Sequence, residues 1–219
     1  MRDDTPLVYL VDDDEAVRDS LGFLFKSIGL KYEAYASALD FLERYDARRH
    51  ACLVADIRMP GLSGLELQQR LNEERAEVPI IFITGHGDVP MAVTAMKSGA
   101  ADFIQKPFRD QDLIDRINKA LARDLDHRRG RAEQDEIRNR IALLTPREKE
   151  VMQRVVRGQA NKVIAMDLGV SQRTVELHRA RVMRKLKMRS VAELVHAVDR
   201  IGGVAQSATV APSGTAASK

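Results

Sequence analysis

The 219-residue sequence has only one cysteine, Cys52, and no apolar run near the length of a membrane-spanning helix. A single cysteine rules out a disulfide within the chain, and a helix that crosses a bilayer needs about 20 consecutive apolar residues. The first residues, Met1-Arg2-Asp3-Asp4, also lack the apolar core of a secretory signal peptide. We therefore expect a cytoplasmic protein without membrane association, in which Cys52 packs as a small core residue.

The charge of the chain is divided unevenly along its length. Residues 1–120 contain 15 Lys and Arg against 21 Asp and Glu, which gives a net charge of −6. Residues 121–219 contain 20 against 11, which gives +9, so the total of +3 conceals two parts of opposite sign. The length suits one to two domains, and a basic second domain suggests nucleic-acid binding, although a solvated basic surface alone would not be decisive.

Three consecutive aspartates, Asp12, Asp13 and Asp14, directly follow the apolar run Leu7–Val11. Carboxylates this close together repel one another strongly in a partly dry site. A Mg²⁺ ion relieves that repulsion, because it prefers oxygen ligands and needs only one or two carboxylates. A solvated acidic turn that also caps a helix is the alternative explanation.

Three further apolar runs each lead to one polar residue. These are residues 52–55 before Asp56, residues 79–83 before Thr84, and residues 102–104 before Lys106. Segments with helical spacing separate the runs, such as the apolar stripe Val17, Leu21, Leu24 and Ile28. Strands that alternate with helices predict a parallel sheet covered on both faces, whose strand C-termini share one edge. The side chains expected to meet at that edge are Asp12, Asp13, Asp56, Thr84 and Lys106.

These residue types suit the transfer of a phosphoryl group to an aspartate. Asp56 could attack phosphorus and become an aspartyl phosphate beside a Mg²⁺ ion held by Asp12 and Asp13. The metal and Lys106 would neutralise charge on the phosphoryl oxygens, and the Thr84 hydroxyl could hydrogen-bond the new group. Taken singly, each residue has a plainer role as a strand end, a surface charge or a helix cap. Their order, each after an apolar run, favours the chemical role.

The basic second half predicts short helices with marked boundaries. Residues 145–148 combine an N-cap threonine, a proline at the first helical position and a capping box. Asn161 can cap a second helix, a third begins near Gln172, and Ser190 with Glu193 opens a fourth. A helix, a tight turn with glycine and then a basic helix form the helix-turn-helix pattern.

The third of these helices has an apolar face and a basic face. Val175, Val182 and Leu186 form the stripe expected in the core, and residues 171–189 hold seven Lys or Arg with one acidic residue. Such a helix fits the major groove of DNA, where side chains read base edges and flanking basic residues hold phosphates. The candidate DNA contacts are Lys162 in the second helix and, in the third helix, Arg173, Thr174, Glu176, Leu177, His178, Arg179, Ala180, Arg181 and Arg184. A merely solvated basic helix is the alternative.

The first half resembles the receiver domain of two-component response regulators over about residues 7–121. The resemblance is carried by Val11-Asp12-Asp13-Asp14-Glu15, Asp56-Ile57-Arg58-Met59-Pro60-Gly61, Ile83-Thr84-Gly85-His86-Gly87 and Lys106-Pro107-Phe108. It implies a doubly wound α/β fold with a five-stranded parallel sheet of flavodoxin-like order 2-1-3-4-5. It implies that Asp56 is the phosphoacceptor and that Mg²⁺ binds to Asp12, Asp13, Asp56 and the backbone carbonyl of Arg58. It also implies that Lys106 pairs with the phosphoryl group and precedes a cis bond to Pro107. Thr84 and Phe103 would be the coupled switch residues.

The second half resembles the LuxR-type four-helix DNA-binding domain, over about residues 140–201. The matching stretches are 144–148, 161–165 and 174–178, and the whole chain is similar to the NarL/FixJ group, with residues 84–90 closer to the FixJ side. This resemblance implies a transcriptional regulator that a sensor histidine kinase phosphorylates at Asp56. It also implies a homodimer on phosphorylation, sequence-specific binding to double-stranded DNA and contact with RNA polymerase. The fourth helix usually supports dimerisation, so Leu194 and Val198 are expected at an interface rather than in the core.

These expectations divide the chain into four parts. They are a receiver domain over 1–122, a helical linker over 123–140, a helix-turn-helix domain over 141–201 and a disordered tail over 202–219. Helical spacing continues past the receiver at Leu121 and Leu125, and Gly130 then interrupts it. This favours a signalling helix that is broken or frayed near Gly130 over a flexible linker.

Two other functions stay open on the sequence alone. A phosphohydrolase can also form an aspartyl phosphate on an α/β sheet, but it usually needs a second acid two residues after the nucleophile, where this chain has Arg58. An atypical regulator would use its receiver without phosphate, as a dimerisation or ligand module, and the intact acidic site argues against that. We therefore expect no sustained enzymatic turnover.

Overall fold

A computed structural model describes residues 5–85 and 89–202, which form two compact units divided between Arg129 and Gly130. The first unit holds a parallel sheet with helices, and the second is built from helices. The division lies within the stretch for which the sequence predicts a helical linker. The predicted tail lies, from residue 203 onward, outside the described residues. No helix among the described residues is both long and apolar enough to cross a membrane.

The first unit is organised around a five-stranded parallel sheet of order β2-β1-β3-β4-β5, which confirms the expected fold class. The strands are β1 (Leu7–Val11), β2 (Lys31–Tyr35), β3 (Ala51–Asp56), β4 (Ile80–Thr84) and β5 (Asp102–Gln105). β1 and β4 are buried along their whole length and β3 at all but its last residue, because helices cover both faces of the sheet. Four of the five runs were predicted, and β2 was not.

Five helices cover this sheet, and two apolar cores lie on its two sides. The helices are α1 (Glu15–Ser27), α2 (Ala38–Arg44), α3 (Gly64–Glu73), α4 (Val89–Lys97) and α5 (Asp110–Ala142). Ser37 and Ser63 cap α2 and α3, each accepting a hydrogen bond from a first-turn amide through its side chain. On α1 the predicted stripe is wrong at its last position, since Ile28 is 43% exposed after the helix has ended and Phe25 is the fully buried residue.

Helix α5 is continuous across Gly130, so the expected break there is wrong. Gly130 costs a helix about 1 kcal/mol relative to alanine, but one such residue does not end a 33-residue helix. A set of contacts holds α5 to the first unit. We call it the α5 clasp, and it is formed by His50, Ala51, Asp124 and Arg128. The Asp124 carboxylate accepts hydrogen bonds from the Ala51 amide at 3.2 Å and from Arg128 Nε at 2.6 Å.

Two contacts complete the α5 clasp. His50 Nε2 lies 2.9 Å from the Leu121 carbonyl oxygen, and Arg128 also donates to the Ala47 carbonyl at 3.0 Å. Asp124 is only 5% exposed, so its charge depends on these partners. The clasp therefore holds α5 against the loop before β3, at the end of the sheet opposite to the strand C-termini.

The second unit contains α6 (Pro146–Val156), α7 (Asn161–Leu168), α8 (Gln172–Leu186) and α9 (Val191–Arg200), together with the last turns of α5. Thr145 caps α6 through the predicted capping box. Two other expectations are wrong. Leu194 and Val198 are each 1% exposed in the core of this unit and cannot form an interface. Asn161 is not the cap of α7, because its side chain is used by Arg179.

Candidate functional site

The polar residues at the C-terminal ends of β1, β3, β4 and β5 gather at one edge of the sheet, as predicted. The Lys106 ammonium lies 3.2 Å from Asp12 Oδ2 and 3.8 Å from Asp56 Oδ1. Asp12 is 3% exposed and the Asp56 side chain 12%, whereas Asp13 is exposed to solvent. A single cation thus bridges two nearly buried carboxylates, while the third carboxylate faces outward.

Local hydrogen bonds fix the turn that carries the aspartates. Asp12 Oδ1 accepts from the Asp14 amide at 2.9 Å, and the Asp14 side chain caps α1 by accepting from the Ala16 amide. Arg18, one turn into α1, donates to the Asp12 carbonyl at 2.7 Å. Sequence reasoning missed Arg18, and its only signal was a basic residue one turn after the acidic run.

Asp56 ends β3 in an environment that disfavours its charge. Burial raises the pKa of this carboxyl group above its ordinary value, and the charges of Asp12 and Asp13 act in the same direction. The Arg58 amide, which donates to Asp56 Oδ2 at 2.8 Å, and the Lys106 ammonium oppose that rise in pKa only in part. Additional positive charge beside Asp56 would therefore be stabilised.

The two predicted switch residues lie on the neighbouring strands. Thr84 ends β4 and is 2% exposed, and its carbonyl accepts from the Lys106 amide at 2.8 Å. Phe103 lies in β5, half-buried against the core that contains Phe82. The Lys106–Pro107 peptide bond is cis, which confirms that prediction.

The oxygen atoms at this edge suit a hard divalent cation. The carboxylates of Asp12, Asp13 and Asp56 and the main-chain carbonyl of Arg58 are the kind of donors that Mg²⁺ takes. Within residues 5–85 and 89–202, no three carboxylate, imidazole or thiol side chains come close enough together to hold a metal ion. Mg²⁺ usually binds one or two carboxylates and keeps waters or phosphate oxygens as its other ligands, so these residues fit it in that mode.

The second unit presents a basic helix face. On α8, the buried side is formed by Val175, Val182 and Leu186, as predicted. The exposed side carries Arg173, Glu176, Leu177, Ala180, Arg181 and Arg184. Lys162, in the first turn of α7, is also exposed. These seven residues are free to contact a ligand outside the unit.

Three of the candidate DNA contacts, Arg179, Thr174 and His178, are partly buried in the second unit. Arg179 donates to the Asn161 side chain at 2.5 Å, which ties α8 to α7. The Thr174 hydroxyl lies 2.8 Å from the hydroxyl of Ser171, the N-cap of α8. The Nδ1 atom of His178 is buried, and no described residue hydrogen-bonds it.

Comparisons with known proteins agree with both halves. The family described as "Response regulator receiver domain" matches residues 8–118, and "Bacterial regulatory proteins, luxR family" matches residues 142–198. The chain therefore belongs to the two-component response regulators that carry a LuxR-type DNA-binding domain, and it is a phosphorylation-dependent regulator of transcription. Mg²⁺ dependence and dimerisation are typical of this family.

Individual relatives match nearly the whole chain. The transcriptional regulatory protein FixJ of Azorhizobium caulinodans is 47% identical over 94% of this chain and 97% of its own length. The response regulator TodT of Pseudomonas putida is 42% identical over 92% and 88%. A solved structure of the response regulator StyR covers 90% of this chain and 99% of its own, with 45% identity and a TM-score of 0.81. Full-length FixJ from B. japonicum aligns with 42% identity over 90% and 97% and a TM-score of 0.55.

Proposed function

We propose that Asp56 is the phosphoacceptor of this regulator. A carboxylate oxygen of Asp56 attacks the phosphorus of a phosphohistidine on a sensor histidine kinase. The P–N bond breaks, and its electron pair returns to the imidazole, which then takes up a proton. The observation that carries this proposal is the Lys106 ammonium between Asp12 and Asp56, because it is positioned to neutralise phosphoryl oxygens.

We propose Asp12, Asp13, Asp56 and the Arg58 carbonyl as the ligands of Mg²⁺. When bound, the ion would supply further positive charge for the phosphoryl oxygens. The raised pKa of Asp56 supports this role, since it reflects a carboxylate with too little positive charge around it. Asp12 and Asp56 are held by their neighbours' amides, so these carboxylates are already oriented before any ion arrives.

Phosphorylation is proposed to act through Thr84 and Phe103. The Thr84 hydroxyl moves to hydrogen-bond the phosphoryl group, and Phe103 fills the space that this movement leaves. Phe103 has no hydroxyl, so burial alone drives its rotation. The changed surface near residues 88–108 then pairs two receivers into a homodimer, which presents two α8 helices to a two-fold DNA site.

The exposed face of α8 is proposed to read double-stranded DNA. Arg173, Arg181 and Arg184 carry charge toward phosphates or guanine edges, and Glu176 can accept from a cytosine amino group. Leu177 and Ala180 offer apolar contact with thymine methyl groups, and Lys162 reaches a phosphate from α7. His178, Arg179 and Thr174 belong to the same proposed set, with less surface available for DNA. Contact with RNA polymerase would follow promoter binding.

We also propose that the protein acts in the cytoplasm and does not turn over substrate as an enzyme. A phosphohydrolase usually places a general acid two residues after its nucleophile, and the side chain at that position is the exposed Arg58. Hydrolysis of the aspartyl phosphate is therefore expected once per phosphorylation, without a catalytic cycle.

The decisive experiment measures intact mass and solution molecular weight, with and without acetyl phosphate and Mg²⁺. We expect one phosphoryl adduct and a shift from monomer to dimer in the wild-type chain. Both changes should vanish in Asp56→Asn and persist in Asp19→Asn, which removes an exposed carboxylate from α1. An adduct that persists in Asp56→Asn would refute the assignment of the phosphoacceptor.

A further inference from the structure

The C-terminus of α8 is completed by a residue from another helix. The last four carbonyls of a helix have no partner within it. Here the Lys187 amide donates to the Arg184 carbonyl and the Met188 amide to the Met183 carbonyl. Neither of these bonds reaches the carbonyl of Leu186. Arg140, in the last turn of α5, donates to the Leu186 carbonyl at 3.0 Å. A cation at this position also interacts favourably with the helix dipole.

Arg140 is itself held in place from several directions. Its side chain is 21% exposed, and its second guanidinium nitrogen pairs with Glu136 one turn earlier on α5. The neighbouring Ile141 packs against the core of the second unit. Farther back on α5, Glu133 pairs with Arg200 of α9 at 2.7 Å. The last turns of α5 are thus fixed to the same unit as α8.

We propose that Arg140 is a positioning residue for DNA recognition, although it lies outside the exposed face of α8. This inference rests on the proposed reading of DNA by α8. Base edges are read only when the helix lies within a fraction of an ångström of its productive place. Contacts from long basic side chains to phosphates tolerate a small shift of the helix. Loss of Arg140 therefore weakens sequence-specific binding and spares non-specific binding.

The test uses the full chain with acetyl phosphate and Mg²⁺ present throughout. The probes are a duplex selected by the wild-type chain from a randomised pool and a scrambled duplex of equal length, each titrated at several salt concentrations. Arg140→Ala is compared with Arg138→Ala, which removes the same charge from the same helix but breaks only an exposed pair with Asp135. Arg181→Ala serves as the reference for a direct DNA contact.

We expect Arg140→Ala to lose about tenfold in affinity for the selected duplex, or about 1.4 kcal/mol, and none for the scrambled one. The salt dependence should stay that of wild type, whereas Arg181→Ala should reduce its slope by about one if Arg181 contacts a phosphate. Arg140→Lys, which keeps the charge without the planar fork, should recover part of the loss.

Two results of the DNA titrations would overturn the inference. One is an unchanged ratio of selected to scrambled affinity in Arg140→Ala, and the other is a reduced salt slope, which would make Arg140 a phosphate contact. Amide hydrogen exchange at residues 185–189 tests the cap without DNA, and unchanged exchange in Arg140→Ala also refutes it. A wild-type chain that selects no sequence, or an Arg181→Ala chain that binds normally, would count against the proposed reading of DNA instead.

Discussion

At the scale of single residues, Asp56 combines its proposed role as phosphoacceptor with an environment that disfavours its charge. Its pKa is raised in the folded chain, chiefly by burial. Above the raised pKa, Asp56 is charged in both the folded and the unfolded chain, and the charge costs the folded state more. Below the ordinary pKa of about 4, it is protonated in both states and the difference disappears.

The first prediction follows from the destabilising effect of the Asp56 charge on the folded state. Asp56→Asn should raise the free energy of unfolding at pH 7 by about 1 kcal/mol, the usual size of a single-residue effect. The gain should shrink toward zero as the pH falls through the raised pKa to about 4. Urea unfolding of both chains across this pH range measures it, with Asp19→Asn as the exposed control. Equal stability of Asp56→Asn and wild type at pH 7 would contradict the prediction.

A second prediction concerns Gly64, the first residue of α3. A Cβ atom there would lie 2.3 Å from the Asp56 carbonyl oxygen and 3.0 Å from Ile57 Cα. Both neighbours are backbone atoms directly behind the proposed phosphoacceptor, so the main chain would have to shift to make room for the Cβ atom. Gly64→Ala should therefore destabilise the chain by about 1–3 kcal/mol and slow the formation of the phosphoryl adduct.

The matched control for Gly64 is the same change at Gly130. A Cβ atom at Gly130 meets nothing within 4 Å, so Gly130→Ala should stabilise α5 by up to about 1 kcal/mol. Thermal unfolding and the rate of adduct formation with acetyl phosphate check both variants. If Gly64→Ala were phosphorylated at the wild-type rate, the crowding behind Asp56 would have no chemical consequence.

The positions of the charged residues at the candidate site could be predicted from the sequence, but not all of their neighbours could. Asp12, Asp56 and Lys106 each follow an apolar run, and parallel strands carry such residues to one edge. Arg18 was missed because its partner is the main-chain carbonyl of Asp12, and Asn161 was misassigned because its partner is set by how α7 and α8 meet. Asparagine is a favourable N-cap residue, yet the side chain of Asn161 accepts a hydrogen bond from the guanidinium of Arg179 on α8 instead.

At the scale of elements, α5 shows what tertiary contacts add to a helical pattern. Its spacing was visible in the sequence, and Gly130 predicted a break that the helix does not have. Strand β2 was overlooked for the opposite reason. It pairs only with β1 at the edge of the sheet, and just one of its five residues is buried, so it lacks the continuous apolar run of an inner strand.

The α5 clasp gives a third prediction. Asp124→Ala would leave the Ala51 amide and the Arg128 guanidinium without their shared acceptor. We expect a loss of about 2 kcal/mol in stability, because the amide is buried with its partner removed. Amide exchange should become faster at Ala51 and along residues 121–129. Asp126→Ala, two residues from Asp124 on the exposed side of α5, should stay within about 0.5 kcal/mol of wild type.

This prediction fails if the exchange of the Ala51 amide is unchanged in Asp124→Ala. Asp124→Asn provides an intermediate case, since an amide oxygen in the place of Oδ2 can still accept both hydrogen bonds but carries no charge for Arg128. Its loss of stability should therefore lie between those of Asp126→Ala and Asp124→Ala.

At the scale of the whole molecule, charge separates the two tasks along the chain. The acidic first part concentrates carboxylates where a metal ion and a phosphoryl group would bind, and the basic second part offers cations to DNA. The charge division and the order of motifs were sufficient to predict both tasks. The effect of phosphorylation on pairing cannot be derived in the same way, because it depends on the relative energies of two conformations of a sheet edge.

The last prediction joins the two tasks through DNA geometry. If phosphorylation pairs two chains, their α8 helices should require half-sites about one helical turn apart, or a multiple of it. Inserting about 5 bp between the half-sites of a selected duplex turns one half-site to the opposite face of the DNA. The phosphorylated wild-type chain should then lose most of its specific affinity. Asp56→Asn, which we expect to stay monomeric, should show little dependence on spacing. Fluorescence anisotropy with both duplexes measures this. A phosphorylated chain that ignored the insertion would read its site as a monomer or through a flexible pairing.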